Sequence, residues 1–214
     1  MLTVYGRASS LNVQKVMWLV GELGLTHRHV PAGGRVSRLD TPGFLAMNPN
    51  GRVPVIEEDG VVVWESHAIL RYLAARHGGG RFWSDDAADR SQADRWMDWA
   101  QSSLLPEVLG VFWAFYRTPP DKRDQTVINR ALAGAARHFG LLDRILANRP
   151  FLLGEDLSLA DIPAGASLYR WFTLDIQRPD LPHVAAWYER LQARPAYRQH
   201  VMVPYDELRG HQDY

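Results

Sequence analysis

Apolar positions in the first third of the chain switch between two periods. Leu2 to Tyr5 is a short apolar strand. From Ser10 to Leu25, residues Val13, Val16, Met17, Val20 and Leu23 recur at helical spacing, and Gly24 is placed to close that helix. His27 to Pro31 is a second strand candidate. Val53 to Glu57 and Val61 to Trp64 are two further strand runs, joined by Glu58-Asp59-Gly60, a hairpin signal of the Asp-Gly type. From Ser66 to His77 the helical period returns with Ile69, Leu70, Leu73 and Ala74 inward, and Gly78-Gly79-Gly80 ends it.

Beyond Asp85 the strand pattern is gone. A long helical stretch covers Ala87 to Arg117, and Pro106 inside it should kink or break it. Pro119-Pro120-Asp121 restarts the chain into a helix carrying Val127, Ala131, Ala135, Phe139, Leu142 and Leu146 on or near one face. Further helices start at Ser158 and near Pro182, the latter with Val184, Trp187, Tyr188 and Leu191 inward, and a short one spans Pro195 to Val201. Ser158-Leu159-Ala160-Asp161 has capping-box spacing: the Ser158 hydroxyl is expected to take the amide three residues on, and Asp161 to reach back. The tail after Pro204 is polar and expected to be loose. The reading is a mixed α/β domain over 1–80, a linker over 81–86 and an all-helical domain over 87–214.

A length of 214 residues suits two compact units. Hydrophobic residues make up 46% and charged residues 22%, the balance of an ordinary globular chain. The formal net charge is zero and the basic residues form no run, so nothing favours nucleic acid or an acidic membrane. No stretch approaches the roughly 18 apolar residues of a membrane helix, and no leader pattern opens the chain, which points to the cytoplasm. There is no cysteine. Disulfides, thiolate metal sites and protein-borne thiol chemistry are therefore excluded, and any reactive sulfur must come with a ligand. His27 and His29 can share one strand face, but no third ligand accompanies them, so no metal site is expected.

Three local signals bear on chemistry. In Asn48-Pro49-Asn50-Gly51-Arg52-Val53-Pro54, a proline opens a strand. Two readings stand: a cis Val53–Pro54 bond that turns the Val53 backbone outward to pair with a peptide-like ligand, or an edge strand whose proline blocks pairing. In Glu65-Ser66-His67-Ala68-Ile69, Ser66 is placed to cap a helix. That helix start could hold a carboxylate while Glu65 accepts from an ammonium group, which together would recognise an amino-acid head. The bland alternative is a plain serine cap beside an exposed glutamate. In Ser9-Ser10-Leu11-Asn12, hydroxyl and amide groups lie between the first strand and the first helix. They are either caps alone or donors aimed at a ligand.

Together, Val53-Pro54, Glu65-Ser66 and the Ser158-to-Asp161 box resemble the cytosolic glutathione transferases over essentially the whole chain. Ala46-Met47-Asn48-Pro49-Asn50-Gly51 and Trp64-Glu65-Ser66 look like the bacterial, theta-related branch. The resemblance implies a thioredoxin-like N-terminal domain plus an all-α C-terminal domain. It implies glutathione as co-substrate, no metal, a small electrophile as second substrate, a two-fold homodimer and a detoxification role. Members with serine at the start of helix one use its hydroxyl to bond the glutathione sulfur, and Ser10 is the match. Asn12 fits the position some bacterial relatives use, Ser9 is a further choice, and Tyr5 lies near the tyrosine used by other branches. Val53, Pro54, Glu65 and Ser66 would hold the tripeptide, with Arg52 on its glycyl carboxylate and Arg35 and Arg38 as weaker aids. Phe112, Trp113, Phe115 and Tyr116 are candidates to line an apolar electrophile site between the domains. Glutathione-dependent peroxide or disulfide reduction, dehalogenation, isomerisation, and glutathione binding without turnover are the alternatives on this scaffold.

Overall fold

The computed structural model describes residues 1–34 and 36–212. Four strands are present: β1 (Leu2–Tyr5), β2 (His27–Val30), β3 (Val55–Glu58) and β4 (Val61–Trp64). They form one sheet in the order β2-β1-β3-β4, with β1 and β2 parallel and the other pairs antiparallel. β3 starts two residues later than the sequence pattern suggests, because Pro54 has no N–H to give a ladder. The hairpin turns on Asp59 and Gly60 at φ +50° and +82°, the two positive angles a type I′ turn demands. Helices α1 (Leu11–Glu22) and α3 (Ser66–His77) pack together. This is the mixed sheet and helix pairing of a thioredoxin-like domain.

The short helix α2 (Pro42–Met47) is absent from the sequence reading. Thr41 caps it by accepting from the Phe44 N–H at 3.3 Å, and Pro42 supplies a preset first turn. Phe44 inserts from it into a small apolar cluster with Ala32 and Val55, bordered by Tyr5, Leu39, Met47 and Val53.

The compact units are Met1–Ser84 with Pro195–Pro204, and Asp85–Arg194 with Tyr205–Gln212. The sequence pattern groups the helix Pro195–His200 with the helical half, yet it packs on α1. There Tyr197 meets Trp18 edge-on at 4.8 Å between ring centres. That cover leaves α1 buried all round from Val13 to Val20 rather than along one stripe.

In the helical unit, α4 (Ala87–Trp99) and α5 (Leu105–Val111) are joined by a π-helical turn, Ala100–Leu104. Leu105 donates to the Ala100 carbonyl five residues back, and Pro106 sits in the first turn beyond. The wide turn absorbs the proline's missing donor, so where the sequence predicts a kink or a break the helical backbone continues through a π-helical turn. Phe112–Arg117 is a second π-helical stretch. α6 (Gln125–Leu146) is capped by Asp124, α7 is Asp161–Thr173, and α8 is Pro182–Gln192; the helix on α1 is α9 (Pro195–His200).

The box at α7 forms with altered roles. Asp161 accepts from the Ser158 N–H at 3.0 Å, the Ser158 hydroxyl at 2.9 Å and the Leu152 N–H at 2.9 Å. The Ser158 hydroxyl thus donates to the carboxylate instead of taking the amide of Asp161, as the sequence spacing suggests. Full burial pushes the Asp161 carboxyl up to about 6 against those hydrogen bonds.

As far as Gln212, where the described residues end, the tail is held in place. Tyr205 is buried against Phe112, Tyr116 and Tyr169, with its hydroxyl 2.6 Å from that of Thr173. Gly210 N–H donates to the Tyr116 carbonyl, and the Arg117 guanidinium donates to the His211 carbonyl. A polar composition concealed one aromatic anchor.

Candidate functional site

The loop from β1 into α1 is held in place by close packing. Gly6, at φ +153°, has the Val13 side chain where a Cβ would stand, at 2.4 Å, and the Val53 Cβ at 3.3 Å. Only glycine lets the end of β1 pass this close, and the result brings Val53 beside the first turn of α1. Buried Gln14 donates to the Ala8 carbonyl at 3.1 Å and fixes the loop from the helix side.

Within that loop Ser9 is buried, while Ser10 is half-exposed at the N-cap of α1. Its carbonyl accepts from the Gln14 N–H at 2.9 Å, but its hydroxyl makes no capping bond. The residue does its backbone work and keeps its side chain out of the helix. Asn12, also half-exposed, lies in the same first turn. Tyr5 is differently engaged: its hydroxyl donates to Glu57 at 3.1 Å, and burial together with that carboxylate holds the phenol above its ordinary range. Its one O–H is thus directed at Glu57.

The Val53–Pro54 peptide is cis. Pro54 is buried and Val53 is partly covered. The preceding turn is organised by buried Asn48, which accepts from the Asn50 N–H at 3.0 Å and donates to the Arg52 carbonyl at 2.9 Å. Arg52 is exposed. Arg38 is exposed too, and pairs with Asp40 at 2.5 Å; Arg35 lies outside the described residues.

At α3 the roles within the Glu65-Ser66 pair shift by one. Glu65, not Ser66, is the N-cap residue, and it stands at φ +68°, a region costly for a side chain with a Cβ. Its carbonyl accepts from the Ile69 N–H at 2.9 Å. Ser66 is the first helical residue and is buried. The early amides of the helix and an exposed carboxylate therefore share one turn, with the chemistry to take a COO⁻ and an NH3⁺.

Beneath this turn lies a pair that sequence reasoning missed. Lys15 is fully buried in α1, with its Nζ 3.2 Å from Nε2 of His67, itself buried in α3. Burial lowers the Lys15 ammonium to about 7, and the Glu65 carboxylate offsets part of that fall. Burial, then Lys15 and Arg71, hold His67 well below the usual histidine range, so its imidazole is neutral. A lysine directly before the apolar run Val16–Val20 was the available signal.

Two of the four aromatics expected to line an electrophile site are core. Phe112 is 1% exposed and Tyr116 5%; they stack at 5.2 Å, with the Arg170 guanidinium 4.3 Å over the Phe112 ring. Tyr205 closes on both, so in this conformation neither is open to a ligand. Trp113 and Phe115 retain partial exposure, under Arg117 at 4.0 Å and Arg123 at 4.6 Å. Among the described residues no group of three His, Cys, Asp or Glu is placed to hold a metal ion, and no helix is long and apolar enough to cross a membrane.

Comparison with known proteins matches this arrangement. Residues 1–75 fit the glutathione S-transferase N-terminal domain and residues 104–195 its C-terminal domain. The chain is 38% identical to glutathione S-transferase GstB of Escherichia coli over 206 residues, 95% of this chain and 99% of that protein. It is 31% identical to the disulfide-bond oxidoreductase YfcG of E. coli, over 90% of this chain and 91% of the other. A theta class glutathione S-transferase from Xanthomonas axonopodis pv. citri, solved with glutathione bound, superposes with a TM-score of 0.90 at 40% identity, covering 95% of this chain and 98% of that one. Both domain models and a 38% identical relative matched over 95% of the chain place it in the glutathione S-transferase family.

Proposed function

We propose that the protein binds glutathione, keeps its thiol ionised, and conjugates the sulfur to a small apolar electrophile. The γ-glutamyl head sits at the start of α3, with its carboxylate on the early amides and Ser66 and its ammonium on Glu65. The tripeptide backbone runs past Val53 and Pro54, and Arg52 takes the glycyl carboxylate. The sulfur then lies by the first turn of α1. The observation that carries the reading is the Ser10 hydroxyl, half-exposed at a helix N-cap and unused in capping.

A free thiol titrates at about 8.5; lowering it to about 6.5 requires ~2.7 kcal/mol in favour of the thiolate. One hydrogen bond from Ser10 to the sulfur, aided by Asn12 or Ser9 and the positive end of α1, is of that size. No general base is then needed. The sulfur lone pair forms the new C–S bond, and a leaving group such as chloride departs with its own electron pair. Conjugation of glutathione to a chlorodinitrobenzene-type acceptor, followed at 340 nm, tests the reading; a rate no higher than the uncatalysed reaction contradicts it.

Similarity to a disulfide-bond oxidoreductase favours one second reading, in which the same thiolate attacks a disulfide. Turnover of a glutathione mixed disulfide, without conjugation, selects it. The reading includes detoxification in the cytoplasm and a two-fold dimer. The edge strand β4 supports the dimer, since it exposes Val61, Val62 and Trp64. Sedimentation at twice the chain mass is expected.

A further inference from the structure

The Lys15–His67 pair is costly for a structural brace. An apolar side chain of similar length would fill the same space in α1 without burying charge, and such replacements are commonly neutral or stabilising. The pair stands where the two half-sites meet. Lys15 lies five residues after Ser10 on α1, and His67 directly follows Glu65 and Ser66 on α3. Its Nζ and the His67 Nε2 bridge the two helices at 3.2 Å. With Nε2 accepting from the ammonium, the proton of the neutral imidazole resides on Nδ1, which is buried and makes no hydrogen bond among the described residues. The charge that attracts Lys15 is the Glu65 carboxylate. Glu65 is also one of two non-glycine residues held at positive φ among those described, the other being Asp59 in the hairpin turn. A strained residue persists where its surroundings over-determine it.

We propose that Lys15 is a positioning residue for glutathione recognition: its buried ammonium, braced by His67, holds Glu65 in its strained turn and supplies positive charge behind the carboxylate of the γ-glutamyl head. The inference rests on the glutathione reading of the Glu65-Ser66 turn and extends it to a residue that does not touch the ligand. It assigns Lys15 to affinity and Ser10 to thiol ionisation, so the two act on separate measurements.

The test uses the full chain with Lys15→Met, and with Lys15→Gln, which keeps a donor for His67 while removing the charge. Glutathione and cysteinylglycine, which lacks the γ-glutamyl head, are titrated into each by calorimetry near pH 6.5, and the bound thiol is titrated by ultraviolet absorbance. Both variants are expected to fold and to bind glutathione at least tenfold more weakly. Their affinity for cysteinylglycine and the pKa of the bound thiol stay as in the parent chain. A purely structural brace would move both ligands together. Glutathione affinity within twofold of the parent, or equal losses for both ligands, overturns the inference while the glutathione reading survives. Absence of glutathione binding by the parent chain overturns both.

Discussion

Replacing Lys15 with methionine should make the protein more stable. In the folded chain the ammonium falls from 10.5 to about 7, chiefly through burial. Each unit is worth about 1.4 kcal/mol, so the protonated lysine costs on the order of 5 kcal/mol relative to the unfolded chain. Methionine has a similar length and no charge. Against the gain stands His67, whose Nε2 loses its partner at a cost of about 1–3 kcal/mol. The net expectation is a gain of ~2–4 kcal/mol at neutral pH, or a thermal midpoint raised by roughly 5–12 °C for a chain of this size. The pH dependence carries the signature. A lysine with a lowered folded pKa binds its proton more readily when unfolded, so the penalty is full below about 7. It fades as pH rises from there toward 10.5, where the unfolded chain also loses the proton. Glu65 and His67 act on the group and Arg71 acts on His67; all three are unchanged in the variant. Urea unfolding of both proteins between about pH 6 and 9.5 should show the advantage of Lys15→Met shrinking by several-fold. An advantage that stays constant with pH, or a variant less stable throughout, would refute the reasoning.

Two further substitutions test the frame around the site. Gly6→Ala places a methyl 2.4 Å from a Val13 methyl and requires φ near +153°, so it should cost more than ~2 kcal/mol and weaken glutathione binding, as read by thermal shift and calorimetry. Asp161→Ala orphans the buried Leu152 N–H together with both Ser158 donors. It should lower stability by about 3 kcal/mol in urea titrations, with the bound-thiol pKa unmoved. Because the Asp161 carboxyl is raised to about 6, its ionisation works against the fold: the penalty is absent below about pH 4, grows from there to about pH 6 and is full above it.

Local signals in the sequence were enough for most of the elements. Helical spacing from Val13 to Leu23, the Asp59-Gly60 turn and the apolar period of α3 each report on residues within one turn of one another. The start of α2 was also legible, in a threonine before a proline, but six residues are too few to show a period. What escaped depends on distant parts of the chain. α9 returns from the far end of the sequence to cover α1, so a helix that reads as one-faced is buried on every side. Tyr205 pins a tail whose composition is polar, and in doing so turns Phe112 and Tyr116 into core. The site shows the same division. Ser10, Glu65 and the Val53–Pro54 bond sit in recognisable local patterns. Lys15 and His67 acquire meaning only when α1 meets α3, across 52 positions of sequence.

The central claim is that a chain without cysteine holds a borrowed thiol in its anionic form at the start of α1. Ultraviolet titration of glutathione bound to the parent protein and to Ser10→Ala tests it most directly. The thiolate is expected to form about two units below the free thiol in the parent, and at least one unit higher in Ser10→Ala, with glutathione affinity little changed. A bound thiol that titrates like free glutathione in the parent would contradict the account.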